Sequence, residues 1–192
     1  MNIAAILLAA GSASRFGSDK LLHALPHSVP IAIQSARHLK AVCEEVLVVV
    51  RPGFEVLSEK MKAEKCSVVV CERAGDGMGE SLACAVRSCG DVDAYLIALA
   101  DMPFIRPSSI EAVRDALAAG ASLVAPYFHS RRGHPVGISA AFRKEMEQLS
   151  GDEGAKKLLS KHSDRLLKIP VGDPGVIRDI DKPSDLAPPL VV

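Results

Sequence analysis

The sequence predicts a three-layer α/β fold, Rossmann-like, with a mainly parallel sheet and antiparallel strands in its C-terminal half. Short apolar runs rich in Val, Ile and Leu alternate with longer helical stretches, the βαβα order that builds a parallel sheet with crossovers. The first, second and fourth runs are apolar without alternation, as strands covered on both faces are. Ligands of such sheets gather at the carboxyl ends of the strands. Residues that follow each run are therefore the first candidates for function.

The elements follow in order. Strands are expected at residues 2–8, 45–50, 67–71, 94–99 and 122–125, with helices between them at 30–40, 54–63, 78–88 and 109–119. Pro30 suits a first helical turn, where its missing N–H costs nothing. The run Ser108-Ser109-Ile110-Glu111 matches a capping box for the fourth helix. Beyond residue 125 the rhythm changes: a hairpin or pair of extended segments at 127–138 surrounds Arg131-Arg132-Gly133. Helices are expected at 140–149 and 153–161, strands at 166–170 and 176–180, and a tail from 187 to 192. No internal repeat, low-complexity tract or linker interrupts residues 1–192, which read as one domain of ordinary size.

Composition narrows the function classes. Lys plus Arg equals Asp plus Glu at 23 each, so there is no long-range field for a nucleic acid or an anionic membrane. Phosphate recognition must be local. The five cysteines, Cys43, Cys66, Cys71, Cys84 and Cys89, contain no CxxC pair, which excludes a readable zinc ribbon and suits a reducing cytoplasm. The apolar start is too short to span a bilayer and has no basic residue before it, so it reads as a buried first strand.

Strand one runs directly into Leu8-Ala9-Ala10-Gly11-Ser12-Ala13-Ser14-Arg15-Phe16-Gly17-Ser18-Asp19-Lys20. Small residues and glycine let backbone N–H groups approach a phosphate, and Arg15 and Lys20 bring two cations to the same loop. A triphosphate needs such a concentration of donors. Ser18, not lysine, follows Gly17, which excludes a Walker loop. Ala13 stands where a dinucleotide fingerprint needs glycine.

The fourth strand ends in Asp101-Met102-Pro103, a carboxylate at the crevice edge, and magnesium needs only one or two such groups beside phosphate oxygens. A second acidic group is Asp179-Ile180-Asp181, whose carboxylates share a face if the chain is extended. Asp181 is favoured as the second ligand, with Asp179 the alternative. Three further segments stand out: the glycine-rich turn 72–82 with Gly77, Gly79 and Ser81, the run Arg132-Gly133-His134-Pro135, and Gly151-Asp152-Glu153-Gly154-Ala155. The other histidines lack metal-binding spacing.

Taken together, these motifs resemble the MobA-like nucleotidyltransferases, and within them the molybdenum cofactor cytidylyltransferases. The signature LAAGxSxRxGxxK, the Asp-Met-Pro turn, Gly-His-Pro and Gly-Asp-x-Gly-Ala carry the resemblance over nearly the whole chain. It implies the fold of the nucleotide-diphospho-sugar transferases. It also implies that Gly11, Ser12, Arg15 and Lys20 hold phosphates and that Leu8, Ala9 and Ala10 border the base. Gly77, Gly79 and Ser81 would stand beside the nucleotide, and Arg132, His134 and Asp152 would face the acceptor. Asp101, with Asp181, would bind Mg²⁺. Ala10 resembles the cytidylyl-transferring branch, whereas guanylyl-transferring relatives read Leu-Ala-Gly-Gly. The expected reaction is CMP transfer from CTP to a molybdopterin-type acceptor with release of pyrophosphate, with a molybdoenzyme client as a further partner. Ala13, Glu72 and Lys182 depart from the pattern, where the family has serine, asparagine and threonine. Three alternatives stay open: another nucleotidyltransferase such as a guanylyltransferase, a glycosyltransferase using the DxD run, and a non-catalytic molybdopterin carrier.

Overall fold

A computed structural model describes residues 1–11, 20–152 and 154–186. Strands β1 (Ile3–Leu8), β2 (Val46–Val50), β3 (Ser67–Val70) and β4 (Ala94–Leu99) lie parallel in the order β3-β2-β1-β4. The sheet continues through β7 (Val136–Ser139), which pairs antiparallel with β4 and with β5 (Leu123–Phe128). Strand β6 (Arg131–Arg132) folds back on the end of β5, and β8 (Leu166–Pro170) lies parallel to β5. The fold is the expected one, a mostly parallel sheet with antiparallel members in its second half.

Side-chain alternation along the buried strands builds two cores. Ala5 and Leu7 of β1, then Ala9, point to one face, where α1 (Ile31–Lys40), α2 (Glu55–Ala63) and α4 (Pro107–Ala118) supply Ile33, Leu39, Leu57, Met61, Ile110, Val113 and Leu117. Ile6, Leu8 and Ala10 point to the other. There α3 (Met78–Ser88), α5 (Arg143–Glu147) and α6 (Gly154–Lys161) bring Leu82, Val86, Met146 and Leu158. Covered on both sides, β1, β2 and β4 have no use for polar alternation.

Local signals were overruled in several places. Pro30 is the residue before α1, extended at φ −60° and ψ 145°, and the helix starts at Ile31. Helix α4 starts at Pro107, so Ser108 is not its cap. The Ser109 hydroxyl instead donates to Asp173, 64 residues away. The helix expected at 140–149 divides into a 3-10 turn, Ala140–Phe142, and α5. No strand forms at 176–180. Pro174–Ile177 is a 3-10 turn, because the Asp173 carboxylate accepts from the Gly175 N–H and Pro174 has no N–H to give a ladder. The tail, 187–192, lies outside the described residues. Among those described, no helix is long and apolar enough to cross a membrane.

Candidate active site

The carboxyl ends of β1, β2 and β4 open on one cleft of about 420 Å³. Its floor is the end of β1. The Ala9 N–H donates to Val49 and the Ala100 N–H to Leu8, so the three strand ends are tied together where the regular ladder stops. Leu8, Ala9, Ala10 and Gly11 line this floor. A side chain added at Gly11 would meet nothing within 4 Å, so protein packing does not explain that glycine.

Asp101 follows β4 and Lys20 opens the 3-10 turn Lys20–Leu22, anchored by buried Leu21. Lys20 Nζ donates to Asp101 Oδ2 at 2.9 Å and lies 3.6 Å from Asp181 Oδ1. The opening strand and the fourth strand thus deliver a cation and a carboxylate to the same crevice edge. Carboxylate oxygens of Asp101, Asp179 and Asp181 all lie within 4.8 Å of one another. Asp179 and Asp181 both lie beside Asp101, so proximity does not choose between them. Although Asp179 is exposed as a residue, partial burial of its carboxyl pushes its pKa above the ordinary value. The charges of Asp181 and Asp101 add to that rise, against a backbone hydrogen bond and Lys20. Three hard oxygen donors repelling one another, with one lysine between them, suit a divalent cation of the Mg²⁺ or Mn²⁺ type.

The opposite wall is the turn 74–81, which lines the cleft through Ala74, Gly75, Gly77, Met78 and Ser81. Gly77 has φ +124°, and a side chain there would lie 2.3 Å from the backbone of Gly151. Gly79 lies off the cleft wall. Its N–H donates to Gly151 at 2.7 Å, and an added Cβ would strike the Ser150 carbonyl. These glycines let the 150–152 loop lie directly on the start of α3, which carries Asp152 into the cleft beside Ser81. Asp152, assigned by motif to the acceptor, therefore stands on the same wall as the residues assigned to the nucleotide.

Arg132 and His134 do not line the cleft. The bond between His134 and Pro135 is cis, and the His134 N–H donates to Val176. The buried Nδ1 of its ring has no partner among the described residues. Burial first, and then the charge of Arg132, depress its pKa to about 4, against the Ile97 carbonyl and the Asp179 carboxylate. At neutral pH the ring is uncharged. An imidazole whose folded pKa lies below its unfolded value of about 6.5 adds stability above that value and loses it as pH falls toward 4. Stability measured by urea unfolding should decline through that window, and His134→Gln should flatten the decline.

Ser12 and Arg15 lie outside the described residues. Sequence reasoning passed over Arg51, the residue directly after β2, although the rule that singled out Asp101 at the end of β4 applies to it equally. Arg51 lines the cleft and stacks on the Phe54 ring at 4.3 Å. Among the described residues it has no carboxylate partner, in contrast to Lys20.

The model of the MobA-like NTP transferase domain matches residues 5–166. The chain belongs to this family. GlmU of Dinoroseobacter shibae, a bifunctional protein, is 32% identical over 129 residues, which are 65% of this chain but 28% of that one. Of the solved structures, Rv0371c of Mycobacterium tuberculosis H37Rv superposes with a TM-score of 0.82 at 23% identity, covering 96% of this chain and 95% of its own. Its complex with manganese gives 0.79, at 23% identity with 96% of each chain covered. The molybdopterin-guanine dinucleotide biosynthesis protein A of Archaeoglobus fulgidus gives 0.66 at 18% identity, covering 95% and 94%. At these identities the structural likenesses establish the fold. The family match makes this chain a nucleotidyltransferase.

Proposed function

We propose that this nucleotidyltransferase transfers CMP from CTP to a molybdopterin-type phosphate acceptor in the cytoplasm and releases pyrophosphate. The observation that carries the reading is the meeting of Lys20, Asp101 and Asp181 at the edge of a cleft floored by Leu8–Gly11. An acceptor phosphate oxygen attacks the α-phosphorus, the bond to the β-bridging oxygen breaks, and pyrophosphate leaves. An anionic phosphate is already a nucleophile, so the protein contributes position and charge. Lys20 and Arg15 neutralise the phosphates, and Gly11 and Ser12 help to hold them. Leu8, Ala9 and Ala10 border the base, with the Ala10 methyl favouring the smaller cytosine, and Gly77 and Ser81 close the opposite side. Asp152 is assigned to the acceptor from within the cleft, and Arg132 and His134, outside its lining, by their motif alone.

Asp101, Asp181 and Asp179 would hold Mg²⁺, which supplies Lewis-acid withdrawal of charge from phosphate oxygens when bound. The manganese complex of Rv0371c supports a cation of this class.

The test is pyrophosphate release from the protein mixed with Mg²⁺, molybdenum cofactor and CTP, GTP, ATP or UTP in turn. CTP should be turned over fastest. Faster turnover of GTP would make this a guanylyltransferase. Cofactor binding with no pyrophosphate from any triphosphate would make it a carrier.

Arg51 extends the nucleotide site. Its guanidinium, without a carboxylate partner among the described residues and stacked on Phe54, offers forked donors to acceptor atoms of the nucleotide. Removing a charged hydrogen-bond donor costs about 1.5–3 kcal/mol. Arg51→Ala should therefore weaken CTP binding by about 10-fold or more, read by calorimetry, with Mn²⁺ affinity unchanged.

A further inference from the structure

Six residues before Asp179 stands a carboxylate with no place in the cleft. Asp173 is 3% exposed, yet it lies in none of the acidic motifs. Its Oδ2 accepts from the Arg106 N–H at 2.9 Å and from the Ser109 hydroxyl at 2.8 Å, both at the start of α4. Its Oδ1 accepts from the Gly175 N–H at 2.9 Å, with Arg106 Nε 3.9 Å away. One buried side chain thus joins two segments far apart in sequence. Burying a carboxylate is costly unless both oxygens are satisfied, and here they are.

What this joint holds is the chain that carries Asp179 and Asp181. Just past it, Gly175 lies so close to the turn after Asp101 that an added Cβ would sit 2.1 Å from the Phe104 carbonyl. The Val176 carbonyl accepts from the His134 N–H, and a Cβ on Gly133 would lie 2.4 Å from that carbonyl. The Ile180 N–H then donates to the Asp101 carbonyl at 2.9 Å, with the Ile180 side chain buried against Leu25 and Ile31. Between residues 173 and 180 no ladder fixes the chain, so its path depends on these point attachments. Asp173 is the first of them and joins the greatest number of donors.

We propose that Asp173 is a positioning residue. By fastening the 173–181 segment to the start of α4, it sets Asp179 and Asp181 against Asp101 at the spacing one divalent cation requires. It touches neither the cation nor the nucleotide. The proposal rests on the cation reading given above. A side chain that only capped α4 would contribute to stability and leave cation affinity alone.

The experiment is Mn²⁺ titration of the full chain followed by electron paramagnetic resonance, without nucleotide, alongside thermal melts. Wild type should bind Mn²⁺, and Asp181→Asn should weaken that binding strongly. Asp173→Ala should weaken it at least 10-fold at a temperature well below its Tm. Asp173→Asn keeps the shape and one carbonyl acceptor, and should weaken Mn²⁺ less than Asp173→Ala does. Ser109→Ala removes a single donor, leaves the carboxylate in place, and should weaken Mn²⁺ about 3-fold, which keeps the test open should Asp173→Ala not fold. Folded Asp173→Ala or Ser109→Ala with a lowered Tm and wild-type Mn²⁺ affinity overturns the positioning role alone. Failure of wild type to bind Mn²⁺ overturns the cation reading and the positioning role with it.

Discussion

Asp101→Asn is expected to lower turnover by about 10²–10³-fold while leaving the fold intact. The substitution keeps the volume of the side chain and removes only its charge. The main-chain carbonyl of residue 101, which accepts from the Ile180 N–H, is untouched, so the 173–181 segment keeps its last attachment. What changes is the centre of the site. Asp101 is the group that meets Lys20 at 2.9 Å and also lies within 4.8 Å of both other carboxylates. Losing one preorganised charge from such a site costs about 2.7–4 kcal/mol of transition-state stabilisation, the energetic equivalent of that rate loss. The protein itself should not suffer. Removing one of three clustered negative charges relieves repulsion, so the melting temperature without metal should hold steady or rise. Pyrophosphate release at saturating CTP and Mg²⁺, set beside a thermal melt, checks both halves. Turnover within 5-fold of wild type would remove Asp101 from the mechanism.

The Asp101 position was legible in the sequence because the physics behind it is local. An unbroken apolar run must be a strand covered on both faces, and its first polar residue must lie at the sheet's edge. The same logic placed Leu8–Gly11, and it covers Arg51, which was overlooked only because no motif surrounds it. The pair Asp179 and Asp181 was found for an incomplete reason. Alternation along an extended chain put both on one face, but no strand forms there, and the grouping with Asp101 comes from long-range attachments. Gly77 and Gly79 are read from the sequence as a nucleotide-binding turn, yet what demands glycine at both is the backbone of residues 150–152, some 70 positions later. Ser109 shows the limit most plainly. It stands inside a run whose Ser108-to-Glu111 spacing spells a helix cap, yet its own hydroxyl donates to Asp173 across the fold. Tertiary partners of this kind leave no trace in a short window of sequence.

Lys20→Ala should produce two effects of opposite sign, and the pair distinguishes a catalytic lysine from a structural counter-ion. In the structure Lys20 is only 12% exposed along its side chain and serves as the cation among Asp101, Asp181 and Asp179. Its removal leaves three carboxylates facing one another. Asp179, already pushed above its ordinary pKa and now without the lysine's opposing charge, moves further up. A group whose folded pKa is raised above its unfolded value loses its stabilising contribution as pH rises through that folded pKa. The metal-free variant should therefore melt lower at neutral pH and approach wild type in acid. More bare negative charge also attracts a divalent cation better. Mn²⁺ affinity without nucleotide should rise severalfold, well short of the roughly 4 kcal/mol that a charge pair 4 Å apart is worth near a protein surface, because solvent reaches two of the three carboxylates. Turnover should move the other way and fall about 10²–10³-fold, since the charge proposed to meet the phosphates is gone. Tighter Mn²⁺ with undiminished turnover would leave Lys20 as a counter-ion to the carboxylates and nothing more, and the work of neutralising the leaving group would then pass to Arg15.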